Sequence, residues 1–228
     1  MRTRFYTKNN QVIDTSLWDI SLSQDEMGKK YGWEGVMAFG NLIHDELNQH
    51  GPGVQCGDIY LDLGANIGMS AINAESKGCS KIYCIEPDPG VFEALNKNKS
   101  YNWIVDNVAI GSEKGYIDVP KWPNWREVQP IQCITLDEFF AKHNLTKVDY
   151  MKVDIEGHEK YVFNNTSQIT WDKINKIFIE YHENVDTLTS EQLNEERIKF
   201  ISFFSNKGFN NHHVSLGYHQ SFIYFWKS

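Results

Sequence analysis

The run Asp62-Leu63-Gly64-Ala65-Asn66-Ile67-Gly68 constrains this chain more than any other feature. It follows the apolar segment Ile59-Tyr60-Leu61-Asp62-Leu63 and opens a helical stretch from about Met69 to Lys77. Gly64 admits backbone angles that other residues resist, so the chain turns sharply there. Gly68 lets the start of the helix lie close to a ligand. The N–H groups of the turn, through Ala65 and Asn66, suit a carboxylate, as helix N-termini do. Asp62 places a negative charge beside the turn, where an ammonium group fits. A ligand that carries both a carboxylate and an ammonium is an amino acid.

A second acid extends this reading. Lys81 to Ile85 forms a strand that ends in Glu86-Pro87-Asp88-Pro89, and Glu86 lies 18 residues after Gly68. A carboxylate at that spacing accepts the two ribose hydroxyls of a nucleoside. A third strand, Trp103 to Ile110, passes through Asp106-Asn107-Val108-Ala109. In this topology that edge faces an adenine, with Asp106 or Asn107 for the exocyclic amine and Val108 and Ala109 flanking the ring. An amino acid joined to a nucleoside is S-adenosylmethionine. The dinucleotide fingerprint G-x-G-x-x-G is not met, because Asn66 stands where its second glycine belongs. The remaining G-x-x-x-G spacing fits a ligand without a pyrophosphate and ranks an NAD dehydrogenase lower.

The rest of the chain continues the alternation. After the three strands come a helix at Val91 to Lys99, short strands at Tyr116 to Val119 and Gln132 to Ile134, and a helix from Leu136 to His143 capped by Thr135. Val148 to Val153 and Ile174 to Tyr181 are further strands, Glu191 to Ser205 a long helix, and two strands near His213 to Leu216 and Ser221 to Trp226 close the chain. Alternating strands and helices imply a Rossmann-like, doubly wound α/β fold, its mostly parallel sheet covered by helices on both faces. The final pair of strands has no helix between them, which implies one antiparallel strand near the C-terminus. Residues 1–54 lack the alternation. Ser23 and Glu26 have capping-box spacing, Val36 to Leu47 repeats at helical spacing, and Gly51-Pro52-Gly53 is a breaker. The expected organisation is an N-terminal helical cap over residues 1–54 and a main domain over 55–228.

Composition narrows the partners. The 30 acidic against 22 basic residues give a formal charge of −8, which argues against nucleic acid or an anionic membrane as main partner. No segment reaches the ~20 apolar residues of a membrane span, and the opening residues lack a signal-peptide apolar run. Cys56, Cys79, Cys84 and Cys133 form no CxxC pair, so reduced thiols and a cytoplasmic location are expected.

These motifs together resemble the FkbM family of class I methyltransferases. The resemblance rests on Leu61 to Gly68, on Ile85-Glu86-Pro87-Asp88-Pro89, on Asn107-Val108-Ala109 and on Ile134-Thr135-Leu136-Asp137. It is completed by Asp149 to Glu159, of which Lys152-Val153-Asp154-Ile155-Glu156-Gly157 is the most distinctive piece. It covers roughly residues 58 to 182. The resemblance implies a seven-stranded methyltransferase sheet, S-adenosylmethionine as methyl donor, and O-methylation, often of a sugar or natural-product hydroxyl.

Ligands of open α/β sheets bind beyond the carboxyl ends of the strands. Asp154 and Glu156 follow the strand ending at Val153, and His182 follows the one ending at Tyr181. The three are the candidate catalytic residues. The methyl of a sulfonium is already activated, so positioning supplies much of the rate. A hydroxyl acceptor also gains from losing its proton, to His182 or to one of the two carboxylates. Asp154 is also a candidate contact for the donor's amino group. Asp154, Glu156, Glu180 and His182 offer hard-cation donors, but without a tight ligand spacing no metal is expected. Pro120 to Arg126, with Trp122 and Trp125, and the N-terminal Trp18, Tyr31 and Trp33 are candidate acceptor walls. The alternatives are a cofactor-binding module without catalysis and a methyltransferase acting on nucleic acid or protein.

Overall fold

A computed structural model of the chain describes residues 51–121, 124–183, 187–216 and 220–228. The expected N-terminal cap therefore lies, up to residue 50, outside the described residues. So do Trp122 and Pro123 of the tryptophan loop.

The elements follow the alternation. They are β1 (Ile59–Leu63), α1 (Met69–Ser76), β2 (Lys81–Ile85), α2 (Pro89–Asn98), β3 (Trp103–Asp106), β4 (Ala109–Ile110), β5 (Gly115–Lys121) and β6 (Asn124–Ile134). Then come α3 (Leu136–Lys142), β7 (Val148–Val153), α4 (Glu159–Asn164), α5 (Gln168–Asp172), β8 (Ile174–His182), α6 (Ser190–Asn206), β9 (Asn211–Leu216) and β10 (Gln220–Trp226). Seven strands form one sheet in the order β3-β2-β1-β7-β8-β10-β9. The pairs from β3 to β8 are parallel, and β10 runs antiparallel to both β8 and β9. This is the expected sheet with its one antiparallel strand.

Three local features differ from the sequence reading. The third strand is broken at Asn107, whose side-chain amide donates to the carbonyls of Glu86 and Pro87 at 2.8 and 2.9 Å. The chain beyond it leaves the main sheet and pairs as β4 with β6, giving a small sheet β4-β6-β5. The two short strands expected around 116–134 are in fact one long antiparallel hairpin, β5 with β6. The two short helices α4 and α5 were not expected, since five or six residues are too few to show a helical period.

Period-two alternation assigns the two sheet faces. Leu61, Leu63, Met151, Val153, Ile177 and Ile179 point into the larger core, where α4, α5 and α6 contribute Phe163, Trp171, Phe200 and Phe204. Tyr60, Tyr150, Phe178 and Tyr224 occupy the opposite face with Ala71 and Ala74 of α1 and Leu95 of α2. Further along that second face the alternation brings Asp62, Lys152, Asp154, Glu180 and His182 toward the carboxyl ends of the strands. Capping boxes open two of these helices, and the cap at Thr135 is as expected. Thr135 makes a capping box with Glu138 on α3, and Thr189 makes one with Gln192 on α6. Cys56, Cys79, Cys84 and Cys133 are free thiols. Among the described residues no helix is long and apolar enough to cross a membrane.

The chain leaves β1 toward β2 and returns through β7 on the other side, so the topological switch point lies between β1 and β7. There the backbones come very close. The N–H of Asp154 donates to the carbonyl of Leu63 at 2.9 Å, and a Cβ on Gly64 would stand 1.7 Å from the Asp154 carbonyl oxygen. Gly64 also has φ +80°. Gly64→Ala is therefore expected to lose about 3 kcal/mol or more, from backbone strain and overlap together. Gly115→Ala, with open space around it, should stay within about 0.5 kcal/mol of the parent. Urea unfolding of the two variants checks this, and similar losses in both would contradict it.

Candidate active site

Two polar networks sit at the carboxyl edge of the sheet. The first is built around Glu86, at the end of β2. Its carboxylate accepts the backbone N–H of Asn66 and that of Asp88, each at 2.9 Å. It thus ties the glycine turn to the loop before α2. Burial pushes its carboxyl up to about 8, against the lowering effect of those two N–H groups. Each oxygen has a lone pair left for a further donor. Asp88 caps α2 through the N–H groups of Gly90 and Val91 and receives the Gln129 amide of β6 at 2.9 Å.

The turn differs in detail from the sequence reading. The N–H groups of Gly64 and Ala65 bond to the Ile85 carbonyl, that of Ile67 to the Asn66 side chain and that of Gly68 to the Ala65 carbonyl. Asn66 itself sits at φ 51°. The turn's own donors are therefore spent, and the open end is the first turn of α1. Its N-cap, Gly68, has no side chain to offer. The missing Cβ of Gly68 makes room for Leu95 and Trp103 rather than for a ligand. Of the other cofactor candidates, Asp106 gives its carboxylate to Lys142 and His143 of the α3 end, at 2.8 and 2.6 Å. Asn107 holds the Glu86–Pro87 loop, and Val108 and Ala109 are buried.

The second network crosses β1, β7 and β8. Lys152, in the register position opposite Asp62, is buried, with its ammonium 3.7 Å from Asp62 and 3.1 Å from Asp154. Burial opposes that charge, but Asp154, Asp62 and Glu180 outweigh it and hold the ammonium above its ordinary value. Asp62 is fully buried, and neither oxygen has a hydrogen-bond partner. Burial pushes it up to about 6 despite Lys152. Glu180 is raised to about 8 by burial and by the Asp154 charge.

His182 ends β8 with both ring nitrogens engaged. Nδ1 lies 3.0 Å from buried Glu159 and Nε2 3.3 Å from Glu156. Burial works against its proton, but the Glu159 hydrogen bond and the Glu156 charge prevail and raise it to about 9. Glu156 and Gly157 both take left-handed backbone angles, φ 55° and 91°, which direct the Glu156 side chain back toward β8. The structure thus brings Asp154, Glu156 and His182 together as expected. It adds Lys152, Glu159 and Glu180, none of which the sequence reading placed among the catalytic candidates. A lysine in the buried strand Val148–Val153, whose other charge, Asp149, lies near its start, was the available signal for the first. Ligand atoms of Asp154, Glu180 and His182 lie within 4.8 Å of one another. Asp154 already holds the Lys152 ammonium and His182 is spent on two carboxylates, so the group reads as an ion-pair network.

An open, mostly parallel sheet whose strand order reverses between β1 and β7, with acids at the carboxyl ends of β1 and β2, is a Rossmann-like doubly wound α/β fold. The chain belongs to the FkbM methyltransferase domain family, whose description matches residues 62–210. It is 26% identical over 141 residues to the hexuronic acid methyltransferase AglP of Haloferax volcanii, a match spanning 57% of this chain and 58% of that protein. It is 23% identical over 181 residues to the 31-O-demethyl-FK506 methyltransferase FkbM of Streptomyces tacrolimicus, spanning 59% of this chain and 69% of that one. Less than two thirds of the first relative is therefore covered. Among solved structures, a protein described as a "putative hemolysin" from Streptococcus thermophilus superposes with a TM-score of 0.51 at 10% identity. That match covers 83% of this chain and 66% of that one, and it shows a shared fold only.

The raised pKa of His182 carries a sign. A histidine held above its ordinary 6.5 stabilises the fold fully below that value, and the gain is lost as pH rises through about 9. His182→Gln should flatten the fall in stability across that window, measured by urea unfolding at several pH values. An unchanged slope would contradict a histidine charged between Glu156 and Glu159.

Proposed function

We propose that the protein is an S-adenosylmethionine-dependent O-methyltransferase acting on a hydroxyl of a sugar or other small molecule. The observation that carries this is the pair of buried carboxylates, Asp62 and Glu86, on either side of the glycine turn. Asp62 accepts no hydrogen bond among the described residues, its nearest cation, Lys152, standing 3.7 Å away, and Glu86 keeps a free lone pair on each oxygen. A buried acid without donors is costly, so the site fits a ligand that brings them. An ammonium suits Asp62, two ribose hydroxyls suit Glu86, and a carboxylate suits the uncapped start of α1. Asn66, at φ 51° and bonded to Ile67, fills the place where a dinucleotide's pyrophosphate needs glycine, which disfavours NAD.

When bound, S-adenosylmethionine supplies a methyl group on a positively charged sulfur. The chain's residues then have three tasks. Glu86 and the α1 start hold the two ends of the donor. Lys152 fixes Asp62 and Asp154 in place. Asp154, Glu156 and His182 line the reaction centre, where His182, protonated and clamped by two carboxylates, orients groups rather than accepting a proton. Residues 1–54 remain the candidate cap over this edge, on the sequence grounds given above. The names of the two relatives, one acting on a hexuronic acid and one on 31-O-demethyl-FK506, support a hydroxyl-bearing acceptor.

Incubation with S-adenosylmethionine and a panel of hexuronic acids, hexoses and hydroxylated macrolides, followed by mass spectrometry, tests the reading. The expected result is S-adenosylhomocysteine together with an acceptor heavier by one methylene. Cofactor binding without turnover on any acceptor would favour a non-catalytic binding module instead. Glu86→Ala should weaken the cofactor about 5- to 100-fold, the loss of two hydrogen bonds worth roughly 0.5–1.5 kcal/mol each. Calorimetric titration reads this, and an unchanged affinity would remove Glu86 from the site.

A further inference from the structure

Glu180 stands apart from its neighbours in the second network. It follows Ile179, which pairs with Val153, so it sits level with Asp154 on the adjacent strand and on the face that carries Lys152 and Asp62. Its carboxylate lies within 4.8 Å of both an Asp154 oxygen and a His182 ring nitrogen. Each of those partners is already engaged, Asp154 by Lys152 and His182 by Glu156 and Glu159. From β10, Phe222 faces Glu180 in register and offers no donor. The backbone of Glu180 pairs with β10, but its carboxylate accepts no hydrogen bond from the described residues. Five carboxyl groups (Asp62, Asp154, Glu156, Glu159 and Glu180) thus share two cations, Lys152 and His182. With Asp62 set aside for the donor's ammonium, Glu180 is, among the described residues, the other carboxyl of this group without a hydrogen bond, and a further positive charge at this edge finds its counter-ion there.

On the methyl-donor reading given above, we infer that Glu180 is the group whose charge follows that of the donor. It is ionised opposite the sulfonium and holds the acceptor's proton once the donor has become a neutral thioether. The elevated value of about 8 supports this, because such a carboxyl is mostly protonated at neutral pH until a cation arrives. Atoms and charges balance. The acceptor oxygen bonds to the methyl carbon as the carbon–sulfur bond breaks, with its electron pair going to sulfur. The hydroxyl proton passes to Glu180. The positive sulfur and the negative carboxylate disappear together, so Glu180 becomes a stronger base as the sulfur loses its charge.

S-adenosylmethionine and S-adenosylhomocysteine share every titrating group, so the difference in protons released on binding isolates the response to the sulfonium. Calorimetric titration at neutral pH, in buffers of different ionisation heat, measures it. The wild-type chain should release roughly half a proton or more in excess with S-adenosylmethionine. Glu180→Gln should bind both ligands with no such excess, and His182→Gln should keep it. Equal release of protons by the two ligands in the wild type overturns the inference, whether or not the Glu180 variant folds. So does an excess abolished by His182→Gln but not by Glu180→Gln. Failure of both ligands to bind overturns the methyl-donor reading itself, and this inference with it.

Discussion

A buried ammonium at the centre of the sheet, that of Lys152, organises the edge on which the proposed chemistry depends. It is the sole charged residue within β7, a strand buried along its whole length, apart from Asp149 near the opposite end. A lone buried charge is expensive, and a buried pair stabilises only when its partners are well placed. Lys152 therefore requires Asp62 on β1 and Asp154 beyond β7, and it holds both in fixed positions. The arrangement remains rich in acid, which is why burial raises Asp62 and Glu180 rather than leaving them ordinary carboxylates.

Backbone packing makes that edge possible. Gly64 lets the turn after β1 press against the Asp154 carbonyl at the switch point, and Glu86 ties the same turn to the loop after β2. Three strand ends are thus locked to one another by main-chain contacts. The side chains that project from them, Asp62, Glu86, Asp154 and Glu180, have little freedom to move, which is what preorganisation requires. On the outer side, Gln129 fastens the β5–β6 hairpin to Asp88, so this appended sheet is anchored beside the end of the site proposed for the nucleoside.

Much of this was legible in the sequence where period and punctuation were strong. The strands β1, β2 and β7 and the cap at Thr135 fall where apolar runs and a capping residue place them. Asp62, Glu86 and Asp154 were recognisable because each sits at a strand end beside a turn. What could not be read is what depends on partners distant in the chain. Asp106 looks like a ligand residue until α3 brings Lys142 and His143 onto it. Gly68 looks like a ligand-facing glycine until Leu95 and Trp103 fill the space beside it. His182 looks like a free base until Glu156, turned by its left-handed backbone, and Glu159, buried on a helix too short to show a period, clamp it from both sides.

The edge between β1, β2 and β7 is the place proposed for S-adenosylmethionine. Thermal denaturation of the chain with S-adenosylmethionine, S-adenosylhomocysteine or NAD, at equal concentration, tests it most directly. The account predicts a higher midpoint with the first two, corresponding to about 2.7 kcal/mol at a hundredfold excess over the dissociation constant, and none with NAD. A shift with NAD alone, or with none of the three, would contradict it.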